Sequence, residues 1–251
     1  MFSYTTRGQG RPILFIHGFL ESATMWDDFI DENFDENFQS ICIDLPGHGN
    51  SILDKEYLSL KDIAFDIYHF LLNEGIPDFD IVGHSLGGYI AIELHKLLSN
   101  ESKLVLFHSN FWEDEPERRE NRNRAIKVVQ ENKNLFIHQA IPNLFQEAFR
   151  NETFVASLIE EAKQISSFTV VLFSKLMRDR PSNEVYIKKL NTNFLLIQGQ
   201  FDLIIPIELA KMHVEEINHI ITNAGHMGHF EAKDEERKII FNFFKDFSNH
   251  L

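Results

Sequence analysis

Phe79-Asp80-Ile81-Val82-Gly83-His84-Ser85-Leu86-Gly87-Gly88-Tyr89-Ile90-Ala91 decides the fold of this chain. Phe79, Ile81 and Val82 make a short apolar run that reads as a strand. Tyr89, Ile90, Ala91 and Leu94 then repeat at helical spacing. Between them Gly-x-Ser-x-Gly closes a strand-to-helix turn so tight that the serine is forced into a strained backbone conformation. Side chains two residues to either side would collide, so those positions are glycine. The turn aims the Ser85 hydroxyl outward, and Gly88 lets the following helix pack closely.

The same alternation recurs outward from this point. Strands are expected at Ile13 to His17, Ser40 to Ile43, Phe79 to Val82, Leu104 to His108, Phe194 to Gln198 and His219 to Ile221, with an antiparallel edge strand around Phe2 to Thr6. Helices are expected near Ser59 to Asn73, Leu86 to Leu98, Glu208 to Val214 and Glu235 to Phe247. Such βαβ spacing predicts an α/β fold, a mostly parallel sheet of six or more strands with flanking helices. The spacing breaks between His108 and Phe194, where prolines punctuate amphipathic helical stretches with no convincing strand. Residues 111–189 therefore read as an inserted helical cap, with 1–110 and 190–251 as the two parts of the core.

Composition narrows the function. With 38 acidic and 24 basic residues, the net charge of −14 opposes binding to nucleic acid or anionic membrane. Arg118, Arg119, Arg122 and Arg124 alternate with acidic residues and read as a solvated helix face. The first ten residues carry no apolar signal core, and no run of about 18 apolar residues occurs, so a cytoplasmic location is expected. Cys42, the single cysteine, lies in Ile41-Cys42-Ile43 and reads as a buried structural thiol.

A serine hydroxyl needs a base to become a nucleophile, and the base needs a carboxylate to hold its tautomer. Two further loops follow strands. Gln198-Gly199-Gln200-Phe201-Asp202 supplies a carboxylate, with Glu113 or Asp114 as the alternative and helix capping as the other reading of Asp202. Asn223-Ala224-Gly225-His226-Met227 supplies an imidazole, with His229 as its competitor. The order Ser85, Asp202, His226 predicts nucleophile, orienting acid and base. Activity should then rise with a midpoint near the ordinary histidine pKa of about 6.5. Oxyanion stabilisation calls for backbone donors, for which Phe19 after His17-Gly18 and Leu86 at the helix start are the candidates. His17 reads as a structural hydrogen-bonding residue. Phe19, Leu20, His108, Phe111, Trp112 and Phe145 are the candidate pocket residues, and neither metal nor cofactor is expected.

Four separated motifs together resemble the α/β-hydrolase superfamily: His17-Gly18-Phe19, Asp44-Leu45-Pro46-Gly47-His48-Gly49-Asn50-Ser51, Gly83 to Gly88, and Asp202 with Gly225-His226. The resemblance implies a triad of Ser85, Asp202 and His226 beneath a helical cap. The segment His17 to Leu20, with Trp26 and Leu45 to Gly49, is similar to the carboxylesterase and menaquinone-synthase (SHCHC synthase) branch. The implied activity is hydrolysis of a small or medium carboxylic ester. A pyruvate-eliminating lyase using the same triad is the alternative; it is weakened by Tyr89 standing where that lyase has an arginine for its anionic substrate, a loss for which the cap arginines Arg118, Arg122 and Arg124 would have to compensate. A ligand receptor that does not turn over is a third reading on the same scaffold.

Overall fold

The computed structural model describes residues 2–99, 101–150, 152–215 and 217–245. Seven strands, β1 (Tyr4–Gly8), β2 (Arg11–Ile16), β3 (Phe38–Ile43), β4 (Asp80–His84), β5 (Leu104–Phe107), β6 (Phe194–Gly199) and β7 (His219–Thr222), form one sheet in the order β1-β3-β2-β4-β5-β6-β7. Only β1 runs antiparallel, with Tyr4 opposite Ile43 and Gly8 opposite Gln39. The helices are α1 (Glu32–Asn37), α2 (Leu60–Asn73), α3 (Leu86–His95), α4 (Pro116–Ala140), α5 (Thr153–Ala162), α6 (Ser167–Arg178), α7 (Glu184–Ile187), α8 (Ile207–Ala210), α9 (Gly228–Glu231) and α10 (Lys233–Lys245).

The strands read as continuous apolar runs because both faces of the sheet are covered. Leu14, Ile16, Ile81, Leu104, Leu106 and Leu196 point to the α2 and α3 side. Ile13, Phe15, Val82, Val105, Leu195 and Ile197 point to the opposite side, against Trp26, Phe34, Ile240 and Phe244. Alternate residues feed alternate cores, as strand geometry requires. Helix α2 begins where the sequence offers a reciprocal cap. Ser59 Oγ accepts from the Asp62 amide at 3.2 Å, and Asp62 Oδ2 accepts from the Ser59 amide at 2.9 Å. Cys42 is buried, and burial pushes its thiol up to about 12.

Between β5 and β6, residues 108–193 contain α4 to α7 and short 3-10 turns, with no strand among the described residues. Val129, Ile137, Ile141, Phe145, Leu158, Ala162 and Val170 give this helical insertion its own apolar core, which Leu20 and Met227 join from the sheet's loop end.

Several element boundaries differ from those expected. Strand β5 stops at Phe107 because His108 has φ 46°, which no ladder accommodates. The stretch from Glu208 to Val214 gives only the single turn of α8, and Met212 beyond it is exposed. Helix α10 begins at Lys233, and Phe247 lies outside the described residues. No helix among the described residues is long and apolar enough to cross a membrane.

Candidate active site

Four loops at the carboxyl ends of β2, β4, β6 and β7 converge, the position where parallel sheets of this type gather ligands. Ser85, between β4 and α3, has φ 48° and ψ −113°. A Cβ on Gly83 would come within 2.6 Å of the Gly87 carbonyl, and one on Gly87 within 2.5 Å of the His17 carbonyl. The elbow therefore has no room for side chains at these two glycines. The strained serine persists because the sheet on one side and α3 on the other fix its neighbours.

Ser85 Oγ lies 2.9 Å from His226 Nε2, and His226 Nδ1 lies 2.8 Å from Asp202 Oδ2. Asp202 serves both of the roles open to it. Its Oδ1 accepts from the amides of Ile204 and Ile205 at 2.7 and 2.9 Å, capping the turn, while Oδ2 holds the imidazole. Burial opposes ionisation of Asp202, but His226 and these donors hold its pKa below the ordinary carboxylate range. Burial likewise pushes His226 below the usual histidine value. Asp202 opposes that fall, and His84 and His108 add to it. The imidazole of His226 is thus neutral at lower pH than a free histidine would be.

Neither alternative partner is placed for the chemistry. Asp114 is occupied by arginines, and Glu113 is an exposed partner of Arg119. His229 is buried with neither ring nitrogen hydrogen-bonded among the described residues, and its pKa falls to about 3 through burial. His17 Nε2 accepts from the Leu45 amide at 2.9 Å and its Nδ1 meets the Gly18 carbonyl at 2.7 Å, a purely architectural arrangement. The amides of Phe19 and Leu86 donate to no group among the described residues, which leaves both available beside Ser85.

A buried ion pair that the sequence reading missed joins three of these loops. Glu21 Oε2 accepts from the Gly18 amide at 2.6 Å and faces His84 Nδ1 at 2.9 Å, and His84 Nε2 donates to the His226 carbonyl at 3.0 Å. Burial works against the charge on Glu21, yet His84 brings its pKa down to about 2. Burial also works against the charge on His84, and Glu21 overcomes it, raising the His84 pKa.

A cavity of about 90 Å³ opens over Ser85, lined among others by Phe19, Leu20, Tyr89, Leu144, Met177 and His226. Of the expected pocket residues Phe19 and Leu20 line it, and His108, Phe111, Trp112 and Phe145 do not. Phe111 lines a separate cavity of about 380 Å³ on the far side of Tyr89. Trp112 stacks on His213 at 4.5 Å, and Phe145 packs against Phe154 of the insertion and Phe230 of α9. His108 lies behind the site, with Nε2 3.0 Å from the buried Glu236 and Nδ1 4.0 Å from Asp202, because its left-handed backbone turns it inward.

Two of the arginines expected on a solvated face, Arg118 and Arg122, line the cavity instead. The signal was present in the spacing. Asp114, Arg118, Arg122 and Ile126 recur every four residues, so the arginines continue the inward stripe of Ile126, Val129 and Ile137.

Residues 13–237 match the alpha/beta hydrolase family. The chain belongs to that family. A thermophilic esterase from Thermogutta terrifontis, solved with malate bound, superposes at a TM-score of 0.87 with 26% identity over 98% of this chain and 93% of its own. An esterase from Exiguobacterium antarcticum superposes at 0.85 with 18% identity over 97% of this chain and 95% of its own, a likeness of fold. A non-heme chloroperoxidase from Kitasatospora aureofaciens is 33% identical over 85 residues. That match covers 34% of this chain and 31% of the relative, so it spans less than a third of that relative's length.

Proposed function

We propose that this protein is a serine hydrolase that cleaves a small carboxylic ester through an acyl-enzyme on Ser85. The observation that carries the reading is the unbroken line from Ser85 Oγ through His226 to Asp202, at 2.9 and 2.8 Å. Ser85 Oγ bonds to the ester carbonyl carbon as His226 Nε2 takes its proton, and Asp202 stabilises the imidazolium. The Phe19 and Leu86 amides receive the oxyanion, with α3 adding its positive end. Collapse of the tetrahedral species breaks the carbon–oxygen bond, and His226 returns the proton to the departing alcohol. Water, deprotonated by His226, then releases the acid and restores Ser85.

The cavity of about 90 Å³ supports a short acyl group. The insertion roofs this cavity with Arg118, Arg122, Ala140, Leu144 and Met177, in the manner of a cap. The esterase description of the Thermogutta relative supports the same chemistry.

The test is labelling with a fluorophosphonate, together with pre-steady-state hydrolysis of p-nitrophenyl esters of two to twelve carbons. Expected are a single adduct on Ser85, a burst equal to the enzyme concentration with the short esters, and loss of both in Ser85→Ala. An unlabelled Ser85 with no burst on any ester overturns the reading.

A further inference from the structure

The charges around the cavity over Ser85 do not balance. Arg118, Arg122 and Arg180 converge on one carboxylate, Asp114, whose side chain is fully buried behind them. Arg118 Nε lies 3.1 Å from Asp114 Oδ1, Arg180 Nη1 lies 2.8 Å from the same oxygen, and Arg122 Nε donates to Asp114 Oδ2. Arg180 lines the cavity of about 380 Å³ and not the one over Ser85; its Nη1 and Nη2 are taken by Asp114, the carbonyls of Met177 and Trp112 and the Asn110 side chain, and its Nε is buried without a partner among the described residues. Arg118 and Arg122 are different. Both line the cavity over Ser85, and of their remaining donors Arg118 Nη1 reaches the Ile204 carbonyl at 2.7 Å and Arg122 Nη1 meets only the Met177 sulfur at 3.5 Å. The Nη2 atoms of both have no partner among the described residues.

Tyr89 adds a third donor to this wall. Its hydroxyl oxygen accepts from Asn110 at 3.3 Å, which leaves the hydroxyl proton without an acceptor among the described residues. Glu21 is the one carboxylate among the cavity's lining residues, and it is matched by His84. A neutral substrate would leave the forks of Arg118 and Arg122 poorly hydrogen-bonded in a partly desolvated space, an arrangement that buried charge disfavours.

We propose that Arg118, Arg122 and Tyr89 form an anion subsite, and that the ester cleaved at Ser85 carries a carboxylate. The proposal rests on the serine hydrolase reading for the reaction, but the subsite exists whether or not Ser85 turns over. A guanidinium pair accepts a planar carboxylate through parallel N–H donors, and the small cavity places that carboxylate a short carbon chain away from the ester. The preferred substrate is then a half-ester of a short dicarboxylic acid, or an ester of a short hydroxy acid.

Binding is measured first by calorimetry on Ser85→Ala, with methyl hydrogen succinate against methyl butyrate, an uncharged ester of similar length. The half-ester should bind at least tenfold tighter. The preference should fall about 10- to 100-fold in Arg118→Met and Arg122→Met, the range for one charge-assisted hydrogen bond lost. Arg122→Lys, which keeps the charge beside Asp114, should retain part of it and guards against a folding defect in Arg122→Met. Hydrolysis of methyl hydrogen succinate and of O-acetyl-lactate by the unaltered protein then tells whether the carboxylate belongs to the acyl or the alcohol half. Equal or tighter binding of methyl butyrate, or a preference that survives both methionine variants, overturns the subsite. A retained binding preference with no hydrolysis of any ester overturns the hydrolase reading and leaves the subsite standing.

Discussion

Glu21→Gln tests the buried pair that ties together the loops carrying Gly18, Ser85 and His226. The substitution keeps the shape and removes the charge. Glu21 and His84 are 2% and 1% exposed, so solvent screens little of their interaction. A Glu21 pKa brought from 4.5 to about 2 corresponds to about 3 kcal/mol of stability. Because that folded-state value is depressed, the contribution is fully present above pH 4.5 and is lost as the pH falls toward 2. At pH 7 the variant should therefore unfold about 6–12 °C lower by calorimetry, at 2–4 °C per kcal/mol for a chain of this size. The gap between parent and variant should close on acidification. Activity should change in a second way. With Glu21 neutral, the buried His84 gives up its proton, and the positive charge whose ring lies 5.2 Å from that of His226 disappears. His226 then protonates more readily, so the midpoint of kcat/KM against pH should move up by on the order of 1 to 2 pH units. A loss of less than about 2 °C together with an unmoved midpoint refutes the reasoning.

In the unaltered protein, burial holds His226 below the usual histidine pKa, so kcat/KM on p-nitrophenyl acetate should rise with pH to a midpoint below 6.5. A titration from pH 4.5 to 8 checks this, and a midpoint at or above 6.5 contradicts it. Gly87→Ala would push a methyl group into the Ile16 and His17 carbonyls, and should cost about 3 kcal/mol in urea unfolding, the upper end of the overpacking range. Tyr89→Ala removes the side chain that borders both the 90 Å³ and the 380 Å³ cavities. The ratio of octanoate to acetate p-nitrophenyl ester hydrolysis should then rise about tenfold, equivalent to burying two further methylenes, and an unchanged ratio would mean that the cavities stay separate.

The sheet was legible because strands covered on both faces appear as uninterrupted apolar runs, and the elbow because its glycines have no conformational substitute. Even the antiparallel edge strand could be read, although β1 runs from Tyr4 to Gly8, two residues further along than the expected Phe2 to Thr6. The serine, carboxylate and imidazole that meet at Ser85 were legible for a related reason, since each sits on a loop leaving a strand. The cavity wall was not. Phe111, Trp112 and Phe145 look like lining residues by type, but large aromatics also fill cores: Phe111 and Trp112 join the core on the α2 and α3 side of the sheet and Phe145 that of the insertion. Arg118 and Arg122 look like surface residues by type, and only their four-residue spacing from Asp114 marks them as inward-facing. Glu21 gave no signal at all, because its partner His84 lies 63 residues away.

The burial of Cys42 has a practical consequence. As the chain's single thiol, enclosed under the sheet and with its pKa near 12, it is silent toward thiol-directed reagents at neutral pH. A cysteine introduced at Leu135, an exposed position on α4, would therefore be the one reactive sulfur on the molecule. A fluorophore there would report on the roof over Ser85 without any need to engineer the native cysteine away. This protein comes already prepared for watching its insertion respond to a ligand in real time.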